Sequence, residues 1–322
     1  MRGDLTARRR ELAASLTKYR TATGWTPEQF ARRLGWPVEK CALVEDGGWV
    51  PTELDVLAFL TECGLPAATR RAVLDLLDGD TGGWVRPHGD GLPEAAPGVL
   101  LQHKLASTII CYDPAEIPVM FQDIDYVSED LRRRFGPRQD IDRHEDARGE
   151  YRSLLHDKRE IVAYLHESVL RSVQVSKPTR WRLHSDLTEA IDEDRAEVRI
   201  IPAAAEPGLR MPTFTLLRFH GHDPLVCHPC ETVTVLLEGE HTSAYQSFAD
   251  QLDEIALSTA ESRALVVELA GGQEALDLPP AEAVEDLVAE DYPWDPELMT
   301  EAVAALHEKR AAAAAVADRD VG

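Results

Sequence analysis

Cys227-His-Pro-Cys230 is the cluster whose residue types and spacing could do the sharpest chemistry. A C-x-x-C pair can hold half of a tetrahedral metal site or form a redox couple. His220 and His222 lie just upstream, across a turn expected at Asp223-Pro224, and the four side chains together would suit zinc. The flanks read as strands rather than the βαβ setting of a redox motif. The preferred reading is therefore a hairpin with exposed histidines and small buried cysteines, and no metal is assigned. A metal-dependent enzyme or sensor using Cys227 and Cys230 stays as a lesser alternative. His144, His156, His166 and His184 fall on separate elements and read as surface or core histidines rather than catalytic bases. Glu145, Asp146, Arg148, Glu150 and Arg152 recur at helical spacing and read as a solvated, salt-bridged face. Phe121, Tyr126, Trp181 and Phe219 fit a core better than a ligand pocket. No Walker loop, G-x-G-x-x-G, G-x-S-x-G or H-E-x-x-H occurs. The chain is accordingly read as a non-enzyme with no catalytic residue and no cofactor.

The other chemistry-bearing surface lies near the N-terminus. Thr26 precedes Pro27 and stands three residues before Gln29, which is a capping box with proline at the first helical position. The spacing predicts a helix from Pro27 to Leu34, a tight turn at Gly35-Trp36, and a helix from about Pro37 to Asp46. Phe30, Ala31, Leu34, Cys41 and Val44 would face inward, while Val38, Glu39, Ala42 and Leu43 would face outward. Two helices joined in this way can present the second to base edges in the major groove. Glu39 could accept from cytosine N4, and Val38 or Leu43 could touch a thymine methyl. Arg8, Arg9, Arg10, Lys18, Arg20, Arg32, Arg33 and Lys40 are the cations available for phosphates.

Around that pair the chain divides by composition. Leu5, Leu12, Leu16 and Tyr19 mark a first helix ended by Gly24. Thr52 caps a fourth helix over Glu53–Cys63, and Pro66 opens a fifth to about Leu77. Residues 78–98 are rich in glycine and proline and read as a linker, pinned by Trp84. Residues 99–271 alternate helices with short strands at Ile161–Leu165, Val198–Ile201, Thr213–Phe219 and Thr232–Leu237. The remaining helices are expected over Val99–Cys111, Ile124–Phe135, Arg138–Asp157, Pro178–Asp192, Ser243–Leu257 and Ala260–Leu269. The class is thus α+β: a five-helix bundle over residues 1–77, then a mixed domain with a small, mostly antiparallel sheet. Residues 272–322 form an acidic extension with a helix expected at Pro296–Val316.

The formal charge of −23 hides an asymmetry. Residues 1–77 hold 11 Lys and Arg against 10 Asp and Glu, which leaves 23 against 47 for residues 78–322. A near-neutral module beside an acidic body binds DNA weakly unless it is dimeric or assisted. Five cysteines, no secretory signal and no membrane-length apolar run point to the cytoplasm and to no membrane partner.

The run Thr26-Pro-Glu-Gln-Phe-Ala-Arg-Arg-Leu-Gly-Trp-Pro-Val-Glu-Lys-Cys-Ala-Leu-Val-Glu-Asp-Gly resembles the XRE (phage-repressor-like) helix-turn-helix family. The resemblance implies a DNA interface at Arg32, Arg33, Pro37, Val38, Glu39, Lys40 and Leu43. The sequence departs from the family in carrying one acidic and two apolar residues where polar or basic ones are usual. A second resemblance joins Trp84, Tyr112-Asp-Pro, Ile117-Pro-Val-Met-Phe-Gln122, Tyr126, Arg148, Glu167–Arg171, Trp181–Leu187, Val198–Pro202, Phe214–Phe219 and Ser262. These resemble the antitoxin-like regulatory domain of bacterial regulators often encoded beside a small partner protein. The two resemblances imply a dimeric transcriptional regulator of double-stranded DNA whose C-terminal domain binds a partner protein or a small ligand. The alternative is an antitoxin-like protein-binding module with vestigial DNA binding.

Overall fold

Thr6, Thr26 and Thr52 each begin a helix by accepting a hydrogen bond from the backbone N–H three residues on. Such caps contribute about 1 kcal/mol apiece. The computed structural model describes residues 6–77, 82–87, 98–135, 148–205, 209–230 and 232–271. Its first five helices are α1 (Ala7–Ala22), α2 (Pro27–Leu34), α3 (Val38–Glu45), α4 (Glu53–Glu62) and α5 (Ala67–Leu74). They enclose one apolar core centred on Leu16, Phe30 and Phe59, each without exposed surface. The Phe30 and Phe59 rings meet edge to face at 4.5 Å, a favourable aromatic geometry.

The second part is a seven-stranded sheet ordered β1-β7-β6-β5-β2-β3-β4. Its strands are β1 (Gly83–Pro87), β2 (Thr108–Asp113), β3 (Glu160–His166), β4 (Glu197–Ile201), β5 (Phe214–Phe219), β6 (His222–Pro229) and β7 (Val233–Glu238). β2, β3 and β4 run parallel, and the other four pairings are antiparallel. The fold is α+β with a mostly antiparallel sheet, as expected. The helices are α6 (Val99–Leu105), α7 (Ile124–Phe135), α8 (residues 148–153), α9 (Glu167–Ser172), α10 (Lys177–Asp192), α11 (Ser243–Ile255) and α12 (Thr259–Leu269). Both faces of the sheet are covered: one core includes Ile109, Cys111 and Leu183 of α10, the other Ile110, Tyr112 and Phe248 of α11. Residues 138–147 of the expected charged helix, and the whole expected helix at 296–316, lie outside the described residues.

Three elements differ from the sequence reading. The helix expected over Val99–Cys111 stops at Leu105, and Thr108–Asp113 is a central strand buried on both faces. An apolar run of that length has no period that separates strand from helix, and the β-branched Thr108-Ile109-Ile110 decides for the strand. The stretch expected as a linker contains β1, an edge strand paired with β7. The β5–β6 turn falls at His220-Gly221, with Gly221 at φ +77, and not at Asp223-Pro224. Pro224 instead sits beside a register shift, where its missing N–H breaks no regular ladder bond.

The two parts share a polar, buried seam along α1. Arg86 of β1 pairs with Glu11 of α1 at 2.6 Å, and both side chains are under a tenth exposed. Trp84 Nε1 donates to the same carboxylate at 3.3 Å. Gln102 of α6 donates to the Ala7 carbonyl at 2.8 Å and accepts from Arg10 at 3.4 Å. The Arg10 guanidinium lies 4.2 Å from the centre of the Phe219 ring. Trp84 is thus pinned to both parts at once.

Gly98 closes the seam at φ +82, and a Cβ there would overlap the Glu11 carboxylate. Gly98→Ala is expected to cost about 1–3 kcal/mol by combining left-handed strain with that overlap. Thermal denaturation of the full chain should show a lower midpoint, whereas an unchanged midpoint would refute the close approach.

Candidate nucleic-acid interface

The helix pair is built as its sequence dictates. Thr26 and Gln29 satisfy each other's backbone N–H at 3.3 and 3.0 Å, with Pro27 inside the first turn. Gly35 ends α2 at φ +67, a left-handed conformation that glycine adopts without a Cβ penalty. The Trp36 N–H returns to the Ala31 carbonyl at 2.9 Å, which fixes the tight turn. Phe30, Ala31, Cys41 and Val44 are buried, and Leu34 packs against them. Burial pushes the Cys41 thiol up to about 11, so it stays neutral core. Pro37, Val38, Glu39, Ala42 and Leu43 are all exposed, so the outward face of α3 matches the sequence reading residue by residue.

The charges on this surface are less available than the sequence suggested. Lys40 Nζ pairs with Asp55 of α4 at 2.6 Å and sits 4.2 Å from the centre of the Trp36 ring. Burial raises the Asp55 carboxyl, but the Lys40 and Thr52 hydrogen bonds outweigh it and hold the group low. Arg33 is bonded to Glu62 and stacks 4.1 Å over Trp25. Arg20 is buried, and its Nη2 reaches Glu45 Oε2 at 3.0 Å, locking α1 to the end of α3. Arg8 and Arg10 belong to the seam, against the rings of Trp84 and Phe219. Arg32 is exposed, and its Nε contact is the Glu28 carbonyl one turn back, at 3.3 Å. Of the cations read from the sequence, Arg32 and Lys18 are exposed, and no ion pair holds either among the described residues. Sequence spacing cannot reveal this, because the neutralising partners come from other helices.

The same region carries an unusual apolar surface. Val38, Leu43, Trp49, Val50, Leu54 and Leu57 are six of the ten exposed large hydrophobic side chains among the described residues. They run from α3 through the following loop onto α4, and the Trp49 N–H bonds the Leu43 carbonyl at 2.9 Å.

The other predicted constellations do not assemble. Cys227 is buried in β6, facing the core that includes Cys111, while Cys230 is exposed beyond the strand end. His222 lies five residues from Cys227 along an extended strand, roughly 17 Å. No disulfide joins the cysteines, and no group of three or more His, Cys, Asp or Glu among the described residues could hold a metal. His166 is buried and its Nε2 meets the Tyr112 hydroxyl at 3.1 Å. Phe121 and Tyr126 are core residues. The expected solvated face on α8 is engaged elsewhere: Glu150 bonds Lys104, and Arg152 reaches Asp186 of α10 at 2.9 Å. His144, Glu145 and Asp146 lie outside the described residues.

A capped α2, a glycine turn and an exposed α3 define a helix-turn-helix protein, and residues 11–73 match a family described as a helix-turn-helix domain. The sheet part extends the assignment. Residues 102–268, more than half of the chain, match the family described as a domain of unknown function (DUF5753), and the protein belongs to that family. No curated protein matches the chain. The helix-turn-helix domain marks the protein as a DNA-binding regulator by class. No helix among the described residues is long and apolar enough to cross a membrane.

Proposed function

We propose that the protein is an XRE-type transcriptional regulator that lays α3 in the major groove of double-stranded DNA. Its sheet domain, antitoxin-like in this reading, receives a partner protein or a small ligand and has no enzymatic role. The observation that carries this is the intact α2–turn–α3 unit, with Val38, Glu39 and Leu43 exposed on one side and Cys41 and Val44 buried on the other. An apolar reading face favours contacts to thymine methyl groups. The weak positive character of the module requires two copies on one site, so we infer a homodimer on a palindromic operator in the cytoplasm. Exposed Trp49, Val50, Leu54 and Leu57 supply apolar surface for such pairing.

Capture of genomic fragments by the full-length protein, followed by sequencing, tests the reading. A recurrent palindrome is expected, and no enrichment even in dilute buffer sinks it. The ion pairs refine which side chains matter. Arg32→Ala should reduce the slope of log affinity against log salt by about 1. Lys40→Ala and Arg33→Ala should change it by less, because Asp55 and Glu62 already neutralise them. Equal losses for all three variants would contradict the ion-pair geometry.

A second reading, a protein-binding module with vestigial DNA binding, is favoured by the same apolar surface and by those occupied cations. Co-purification with a small partner protein and no retention of DNA at low salt would establish it.

A further inference from the structure

The side chains of α3 leave it a narrow range of contacts to bases. Its sequence, Val-Glu-Lys-Cys-Ala-Leu-Val-Glu, holds side-chain donors only at Lys40 and Cys41. Lys40 Nζ is held by Asp55 at 2.6 Å, and Cys41 is buried. Guanine shows only the acceptors O6 and N7 in the major groove, so a helix without a free side-chain donor offers it no partner. Of the two carboxylates, Glu45 is bound by Arg20 through Nη2 at 3.0 Å. Glu39 is exposed, and no ion pair holds it among the described residues. The helix therefore presents one free acceptor, and the side chains exposed around it are apolar. Val38 precedes Glu39, while Ala42 and Leu43 stand at the i+3 and i+4 positions that share its helix face. Val38 and Leu43 are 38 % and 40 % exposed.

A lone acceptor selects among the bases. The donors in the major groove are the N4 amino group of cytosine and the N6 amino group of adenine. Adenine carries the acceptor N7 beside its amino group, and thymine carries the acceptor O4, so both set a lone pair against a carboxylate. On cytosine the ring atom next to the amino-bearing carbon is C5, which is apolar. A cytosine whose amino group meets Glu39 therefore turns its C5 edge toward the apolar neighbours of that carboxylate.

We propose that α3 reads 5-methylcytosine: Glu39 accepts from the N4 amino group, Val38 and Leu43 pack on the 5-methyl group, and operator affinity depends on cytosine methylation. An amino donor and a methyl group on adjacent ring atoms occur together on this base and on none of the four unmodified ones. Thymine offers the same methyl group, but its O4 faces the carboxylate. This deepens the regulator reading and rests on it, since α3 must lie in the major groove. One methyl group buried against Val38 and Leu43 raises affinity about fourfold, and two symmetric half-sites raise it about sixteenfold.

Selection by the full-length protein from a random duplex library, amplified once with dCTP and once with 5-methyl-dCTP, tests this. A consensus with cytosine at a fixed position is expected. Synthetic duplexes carrying cytosine, 5-methylcytosine or thymine at that position are then compared by fluorescence anisotropy. The methylated duplex should bind about fourfold tighter than the unmethylated one per substituted position. Thymine should bind at least about fivefold more weakly than 5-methylcytosine, because the two differ in the group that faces Glu39. Val38→Ala with Leu43→Ala should bring the ratio of methylated to unmethylated affinity to about one, and the exposure of both side chains spares the fold. Leu54→Ala, on α4, should leave the ratio unchanged even if it lowers both affinities. Glu39→Gln should erase the preference for 5-methylcytosine over thymine, because the amide can donate to O4. A selected duplex whose affinity does not rise on methylation, or a ratio that survives the double variant, overturns the proposal and leaves the regulator reading standing. Failure to select any duplex from either library overturns both.

Discussion

Glu11→Ala is expected to destabilise the protein by about 3–5 kcal/mol and to loosen the helix-turn-helix from the sheet. The reason is electrostatic. Arg86 is 7 % exposed and pairs with Glu11 at 2.6 Å, so truncating the carboxylate strands a buried guanidinium. Removing one partner of a buried pair costs far more than the pair contributes, since desolvation has already consumed most of the Coulomb attraction. The Glu11 carboxyl shows that desolvation directly: burial raises it, against the opposing pulls of Arg86, Trp84 and Arg8. Replacing both members by apolar residues, Glu11→Leu with Arg86→Met, should therefore recover much of the loss. Denaturant midpoints of the two single variants and the double variant check this, and strictly additive losses would refute it. Limited proteolysis should at the same time cut Glu11→Ala near residues 78–98 faster than the wild type.

The seam bears on regulation as well as on stability. α1 carries Glu11 and Arg10 toward the sheet and Arg20 toward Glu45 at the end of α3. One helix thus touches both the sheet and the reading helix. A helix-turn-helix on a flexible tether would search for DNA independently of its partner domain. Here the first helix is built into both cores, since Ala7 belongs to the sheet-domain core and Leu12 and Leu16 to the bundle core.

The bundle was legible because its signals are local. Thr26 with Gln29, Gly35, and the inward spacing of Phe30, Ala31, Cys41 and Val44 each act within a few residues. Strand β2 was hidden because its apolar stretch, Ile109–Tyr112, is short and unbroken, and such a run carries no period that separates strand from helix. β1 was hidden because a five-residue edge strand between glycine- and proline-rich stretches gains its stability from β7, far along the chain. The site was legible as a surface and illegible as a charge distribution. Val38, Glu39 and Leu43 face outward as their spacing requires, but Asp55 and Glu62, which neutralise Lys40 and Arg33, approach from α4. The charged face at Glu150 and Arg152 was misread for the same reason: Arg152 finds Asp186 on α10 rather than a neighbour on its own helix.

Acid should destabilise this protein before its ordinary carboxylates protonate, through two buried histidines. Burial depresses His103 from 6.5 to about 4, with Arg159 adding to the shift and the Val99 carbonyl opposing it. Burial depresses His184 equally, with Arg180 adding and a backbone hydrogen bond opposing. In both cases the folded value lies below the unfolded one, so between them the unfolded chain takes up a proton that the native state refuses. The stabilisation is complete above pH 6.5 and is lost as pH falls toward 4. Between pH 7 and pH 5 each histidine should remove about 2 kcal/mol. Asp113 works in the opposite sense, because burial raises it to about 6, and protonating it should return about 1 kcal/mol over the same range. For these three groups alone the loss is about 3 kcal/mol, a large part of the stability of a typical domain; the Glu11 and Asp186 carboxyls, also raised by burial, act in the same sense as Asp113. Urea midpoints of the wild type at the two pH values should differ accordingly, and His103→Gln should show a difference smaller by about 2 kcal/mol. A variant as acid-sensitive as the wild type would mean that His103 is protonated in the native state, and that its burial against Val99 and Tyr151 is not as the structure places it.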